Sequence, residues 1–170
     1  LALSICRIAV AIALTWFVGG VANAQVPTGT VDVTGPASVV PNGAAFGTAI
    51  AYSMSGTGVS NAKITVTFPT GYVHQSVTAP PGVTSNCSGL TCTLNLNFSS
   101  GGVSGQATFQ GYINPFIHAD GAIVNVVASL TANYNSGTQS MTPVNDTLPI
   151  EIDASPGPYI YYKDMISSQW

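Results

Sequence analysis

The stretch Val124-Asn-Val-Val-Ala-Ser-Leu-Thr-Ala-Asn-Tyr134 places Val124, Val126, Ala128, Leu130, Ala132 and Tyr134 on one parity. Successive side chains of a β-strand point to opposite faces, so a sustained period of two means one face in a core and one in water. The period recurs on both sides of this run. Upstream, Ile64, Val66 and Phe68 alternate with Lys63, Thr65 and Thr67, and Cys92, Leu94, Leu96 and Phe98 alternate with Thr91, Thr93, Asn95 and Asn97. From Ala44 to Met54, Phe46, Ile50, Tyr52 and Met54 oppose Ala45, Gly47, Ala49, Ala51 and Ser53. Downstream, Leu148, Ile150 and Ile152 alternate with Pro149, Glu151 and Asp153; weaker runs lie at Val31 to Val33, Tyr72 to Thr78 and Ala107 to Ile113.

Turn chemistry separates these runs. Pro41-Asn42-Gly43, Ser55-Gly56-Thr57-Gly58, Pro69-Thr70-Gly71, Pro80-Pro81-Gly82, Ser100-Gly101-Gly102, Asp120-Gly121 and Asn135-Ser136-Gly137 combine residues that preset or tolerate turn dihedrals. Recurrent short strands with no helical stretch between them predict an all-β fold, an antiparallel immunoglobulin-like β-sandwich of about seven to nine strands. A closed barrel is the structural alternative. An outer-membrane barrel is disfavoured, because many outward positions here are Thr, Asn or Lys where a lipid face needs apolar residues.

Composition sharpens the picture. Of 170 residues, 5% are charged and 46% hydrophobic, Gly and Pro number 18 and 11, and the net charge is −3. An average soluble domain is about 25% charged. Disorder driven by self-repulsion and a basic nucleic-acid surface are both excluded. The polar surface must come from Ser, Thr, Asn, Gln and Gly.

Part of the apolar fraction belongs to a leader. Arg7 precedes the apolar run Ile8 to Val18, and Ala22-Asn23-Ala24 ends it with small residues. That order predicts a signal-peptide helix over 1–24, cleavage after Ala24, and a secreted or cell-surface chain with no transmembrane anchor in its mature form. The sandwich is expected over 25–153. Ala154-Ser-Pro-Gly-Pro158 reads as a linker, so 154–170 is a linker and tail and possible start of a further module.

Removing the leader removes Cys6 and leaves Cys87 and Cys92. An even count in an exported chain points to a disulfide closing the short Ser88-Gly-Leu-Thr91 loop. Zinc is the competing reading and is set aside, since His74 and His118 lie far from the cysteines without finger-like spacing.

The order of features from about Val40 to Ile152 resembles the bacterial conserved-repeat family known as the DUF11 domain. The residues that carry the resemblance are Pro41-Asn42-Gly43, Tyr52, Phe68-Pro69-Thr70-Gly71, Cys87, Thr91-Cys92-Thr93-Leu94, Gly101-Gly102 and Val124 to Tyr134. Ser55-Gly56-Thr57-Gly58 stands where the family has Asn-x-Gly. The resemblance implies an Ig-like architectural or adhesive module of surface and secreted proteins, without catalytic activity and often one of several in a chain.

Sites of chemistry are sparse. His118 lies beside Asp120-Gly121 in a turn, and His74 lies in a Thr/Ser-rich strand; neither has nucleophile-motif context, so both read as solvated turn or strand-face histidines. Glu151 and Asp153 share one strand face, where they keep an edge soluble instead of flanking a glycosidase cleft. The pair with Asp146 lacks the acidic spacing of a calcium loop. No cofactor is implied. Tyr159, Tyr161 and Tyr162 in the tail offer a partner or carbohydrate surface, or pack on a sandwich edge.

Three readings follow. The first is a non-catalytic structural or adhesive module that meets neighbouring domains or other surface proteins. The second is a fibre subunit using strand exchange, motivated by the apolar tail and by edges where only Lys63, Glu151 and Asp153 place charge in strands. The third is a carbohydrate-binding domain.

Overall fold

A computed structural model describes residues 25–41, 44–98, 101–115 and 117–154. The leader with its cleavage site, the 155–170 tail and the Tyr159, Tyr161 and Tyr162 cluster lie outside the described residues. Eleven strands follow in order: β1 (Thr28–Thr34), β2 (Ser38–Val39), β3 (Phe46–Ser55), β4 (Ser60–Thr67), β5 (Tyr72–Thr78), β6 (Thr84–Ser88), β7 (Thr91–Asn95), β8 (Val103–Ile113), β9 (Ile123–Tyr134), β10 (Gln139–Ser140) and β11 (Val144–Ile152). Nine have five residues or more, and β2 and β10 have two each.

The strands form two sheets, β1-β3-β8-β5 and β2-β11-β9-β4-β7-β6, with β10 also paired to β9. Both sheets keep open edges, so the structure is a sandwich and the barrel alternative falls. All pairings are antiparallel except one: Glu151 and Ile152 of β11 run parallel to Ser38 and Val39 of β2. The expected antiparallel sandwich thus carries one short parallel pair. After β1 the chain crosses to the other sheet and meets β11 beside its last two residues, where the N–H groups of Glu151 and Asp153 donate to the carbonyls of Ala37 and Val39.

The core lies between the sheets and follows the alternation. Ile50, Tyr52 and Met54 of β3 and Ala107, Phe109 and Ile113 of β8 are buried from one side. Ile64 and Val66 of β4, Leu94 of β7, the alternate residues Val124 to Ala132 of β9, and Ile150 and Ile152 of β11 are buried from the other. Thr48 shares the inward parity of β3; it is fully buried and its Oγ1 has no partner.

One end of the core is aromatic. Phe68 and Tyr72 flank the turn Pro69-Thr70-Gly71, where Gly71 takes φ 80°, and their rings stack with centroids 4.1 Å apart at 6°. Phe109 meets Phe68 edge-on at 5.4 Å, and Phe46 meets Tyr72 at 5.9 Å. Such edge and offset arrangements satisfy the ring quadrupoles.

Strand β8 makes room for the tyrosines. On its inward parity, Gly105 and Gly111 alternate with Ala107, Phe109 and Ile113. A Cβ at Gly111 would run into the Tyr72 ring and lie 2.6 Å from the Val73 carbonyl; one at Gly105 would lie 2.8 Å from the Tyr52 hydroxyl. Two inward glycines therefore accept two tyrosines from the flanking strands, a use of strand glycine that close side-chain approach explains. Burial raises the Tyr52 pKa and pushes that of Tyr72 up to about 12, because the phenolate would be desolvated.

Candidate functional site

With a packed core and few titratable groups, the surfaces able to engage a partner are the sheet edges and outer faces. The edges are unequal. Strand β1 is guarded twice: Asp32 projects outward, and the free N–H of Val33 donates to Asp146 Oδ2 at 2.7 Å. Asp146 sits on β11 in the opposite sheet, so this bond also ties the sheets together. Strand β5 is broken by a register shift between His74 and Ser76. Bulges and inward-pointing charge are recognised ways of blunting an edge.

Strand β6 has no such guard. It pairs on one side with β7, from Thr84↔Asn95 to Ser88↔Thr91, and its other side is a sheet edge. It carries no charge, proline or bulge. Thr84, Ser85, Asn86 and Ser88 are exposed. The hairpin turns through Gly89-Leu90 with Gly89 at φ 58°, as a two-residue turn with a positive first φ requires. Cys87 and Cys92 stand directly opposite each other, their Cα atoms 4.0 Å apart, and are joined by the expected disulfide.

The outer faces are hydroxyl-rich and nearly neutral. On the β1–β3 face, Thr28 and Ser55 share a hydrogen bond at 3.0 Å, and Thr30 and Ser53 one at 2.8 Å. These pairs border an open groove of about 410 Å³ that continues to Gly102 and Ser104. On the outer face of the other sheet, Lys63 lies with Asn61, Asn95 and Asn133 around a depression of about 340 Å³.

The sequence-predicted residues distribute as follows. His118 is a half-buried loop residue, and its Nε2–H donates to the Thr70 carbonyl at 2.7 Å, which pins the β8–β9 loop to the β4–β5 turn. Glu151 is exposed on the outward parity of β11, with Asp153 just beyond it, whereas Asp146 shares the inward parity of Leu148 and Ile150. The three carboxylates do not converge. Charge in strands also extends further than expected, since Asp32 lies in β1 and Asp146 in β11.

His74 needs a larger correction. It is half-buried on the inward parity of β5, 6.2 Å from the Phe109 ring, and its Nδ1 is buried without a hydrogen-bond partner. A ring nitrogen of His74 and the sulfurs of Cys87 and Cys92 lie within 4.8 Å of one another. Distance in sequence concealed this, because the two sheets fold face to face and bring β5 over the β6–β7 hairpin. The signal available in the sequence was parity: His74 is two residues after Tyr72, on the same face.

No family model matches the chain, and no curated protein matches it. Solved structures do. The major pilin subunit BcpA of Bacillus cereus superimposes with a TM-score of 0.58 at 11% identity, over 76% of this chain and 41% of that one. A 35 kDa C-terminal fragment of the major pilin GBS80 of Streptococcus agalactiae gives 0.54 at 10% identity, over 76% and 57%. The chain thus spans less than two thirds of either pilin structure, and what it shares with them is the Ig-like sandwich fold.

Proposed function

We propose that this chain is a non-catalytic structural or adhesive module of a secreted or cell-surface bacterial protein. Its work is to present a stiff, low-charge sandwich to neighbouring protein domains. The observation that carries the reading is the unguarded β6 edge on a fold shared with two major pilins. Main-chain groups along such an edge accept an added strand from a neighbour, with register fixed by alternate side chains.

Export through the 1–24 leader, with a sandwich over 25–153, belongs to the same proposal; it rests on the leader's residue order and on the hairpin disulfide, a bond that persists in oxidising compartments. Self-association by strand exchange is the second reading, favoured by the β6 edge and by the apolar tail that follows Ala154-Ser-Pro-Gly-Pro158. The test is to express the full chain in a bacterial host, locate it by protease accessibility of intact cells, and examine purified protein by light scattering and negative-stain microscopy. Surface exposure is expected. Retention in the cytoplasm of its native type of host would overturn the surface reading, and a strictly monomeric protein with no strand-addition partner would overturn the second.

A further inference from the structure

We propose that His74, Cys87 and Cys92 form a redox-gated site for a thiophilic cation of the zinc class, closed while the two sulfurs are joined and open when they are reduced. Two thiolates and an imidazole are the borderline-soft donor set that zinc prefers. All three donor atoms already lie within 4.8 Å of one another. At ordinary Zn–S and Zn–N distances of about 2.3 and 2.0–2.1 Å, tetrahedral donors are separated by roughly 3.5–3.8 Å, so the rearrangement required is small.

Three further features suit a cation. The buried Nδ1 of His74 has no hydrogen-bond partner, and a buried unsatisfied ring nitrogen calls for an explanation. Two thiolates neutralise a divalent ion, so the loaded site adds no net charge to surroundings lined by Phe109. Cys92 is 1% exposed while His74 and Cys87 are half-buried, so the cluster sits at the margin of the core and not on an exposed face.

The cation would do what the disulfide does not. The disulfide joins two strands of one hairpin. A cation held by His74 as well would clamp β5 of one sheet to β6 and β7 of the other. The gating step balances: an external dithiol or phosphine reductant supplies two electrons and is itself oxidised, the S–S bond breaks, and two thiols form with two protons from solvent. Binding then displaces those two protons. Reoxidation by a small-molecule disulfide takes two electrons from the thiolates, re-forms the S–S bond and releases the cation.

The test uses the full chain, oxidised or reduced with a phosphine under anaerobic conditions, and titrated with Co²⁺ as a spectroscopic stand-in for Zn²⁺. The expected result is one Co²⁺ per reduced chain, with thiolate-to-metal charge transfer and intense four-coordinate visible bands, both abolished by Zn²⁺ and absent from the oxidised chain. His74→Phe keeps an aromatic against Phe109 and retains the disulfide, but binds Co²⁺ ~100-fold more weakly when reduced, at or beyond the loss expected for an outer partner. Equal binding by oxidised and reduced protein, no charge-transfer band on reduction, or full affinity in His74→Phe each overturns the proposal. If the reduced chain loses its strand signal in circular dichroism, recovery on adding Zn²⁺ supports the site and failure to recover overturns it.

Discussion

Replacing Gly111 by alanine tests whether β8 is shaped to receive Tyr72. Gly111 does not take a positive φ, so alanine is not strained by backbone conformation there. Taken alone, the change would stabilise by about 0.4–1 kcal/mol through the unfolded chain. The added methyl, however, meets the Tyr72 ring and lies 2.6 Å from the Val73 carbonyl. The ring has nowhere to swing, being stacked on Phe68 at 4.1 Å and met by Phe46 at 5.9 Å. The carbonyl belongs to the β5–β8 ladder, where Val73 opposes Tyr112. Overpacking of this kind costs about 1–3 kcal/mol, and two immovable neighbours place it at the upper end. The net expectation is a loss of ~2 kcal/mol, or roughly 6–10 °C in Tm for a domain of this size. Urea unfolding followed by far-ultraviolet circular dichroism measures it, with an unchanged m-value if only the native state is affected. Gly105→Ala should cost less, because the Tyr52 hydroxyl at 2.8 Å and Pro80 Cγ at 2.9 Å are side-chain atoms. In a Tyr72→Ala background the Gly111 methyl should be better tolerated, giving a non-additive cycle. Stability within ~0.5 kcal/mol of the parent, or the same methyl cost with and without the ring, would refute the reasoning.

Three other outcomes are expected. Replacing Cys87 and Cys92 together by serine reopens a loop of sequence separation 5 and costs ~2 kcal/mol by loop-closure entropy; unchanged urea midpoints would remove the disulfide's structural role. Asp146→Ala deprives the Val33 N–H of its 2.7 Å acceptor and costs ~1 kcal/mol or more; the readout is faster hydrogen exchange at Val33, and unchanged protection there would show that the bond does not guard the edge. Tyr72 is held neutral to about pH 12 in the folded protein against 10.0 unfolded. Its raised pKa means that stability present below pH 10 is lost as pH rises from 10 through 12. Alkaline unfolding monitored by phenolate absorbance should show this fall, and Tyr72→Phe should flatten it.

How far the sequence carried the fold depends on where alternation was legible. In β9, Val124, Val126, Ala128, Leu130 and Ala132 are all buried, and the strand spans Ile123–Tyr134. Strand β6 is silent in the sequence because Thr84-Ser-Asn-Cys-Ser88 has no apolar face; it exists by pairing with β7 across a tight turn. Strand β8 read short because Gly105 breaks the inward pattern, and that glycine is small to accept Tyr52. The disulfide was readable from cysteine count and compartment. The approach of His74 to it was not, since contact between facing sheets depends on the order of strands, which a period of two leaves open. Asp146 likewise reads as one more surface acid until β1 is placed beside β11.

The near-neutral outer faces have a kinetic corollary. Among the described residues, Lys63 stands as the cationic side chain against Asp32, Asp120, Asp146, Glu151 and Asp153. Without strong opposing fields, encounter with a neighbour is not steered, and association proceeds at about 10⁵–10⁶ M⁻¹s⁻¹ with little dependence on ionic strength. On the strand-exchange reading, pairing along an uncharged strand edge is then governed by how long two copies stay close. Tethering on a common surface, where effective concentrations reach about millimolar, supplies what electrostatic attraction does not.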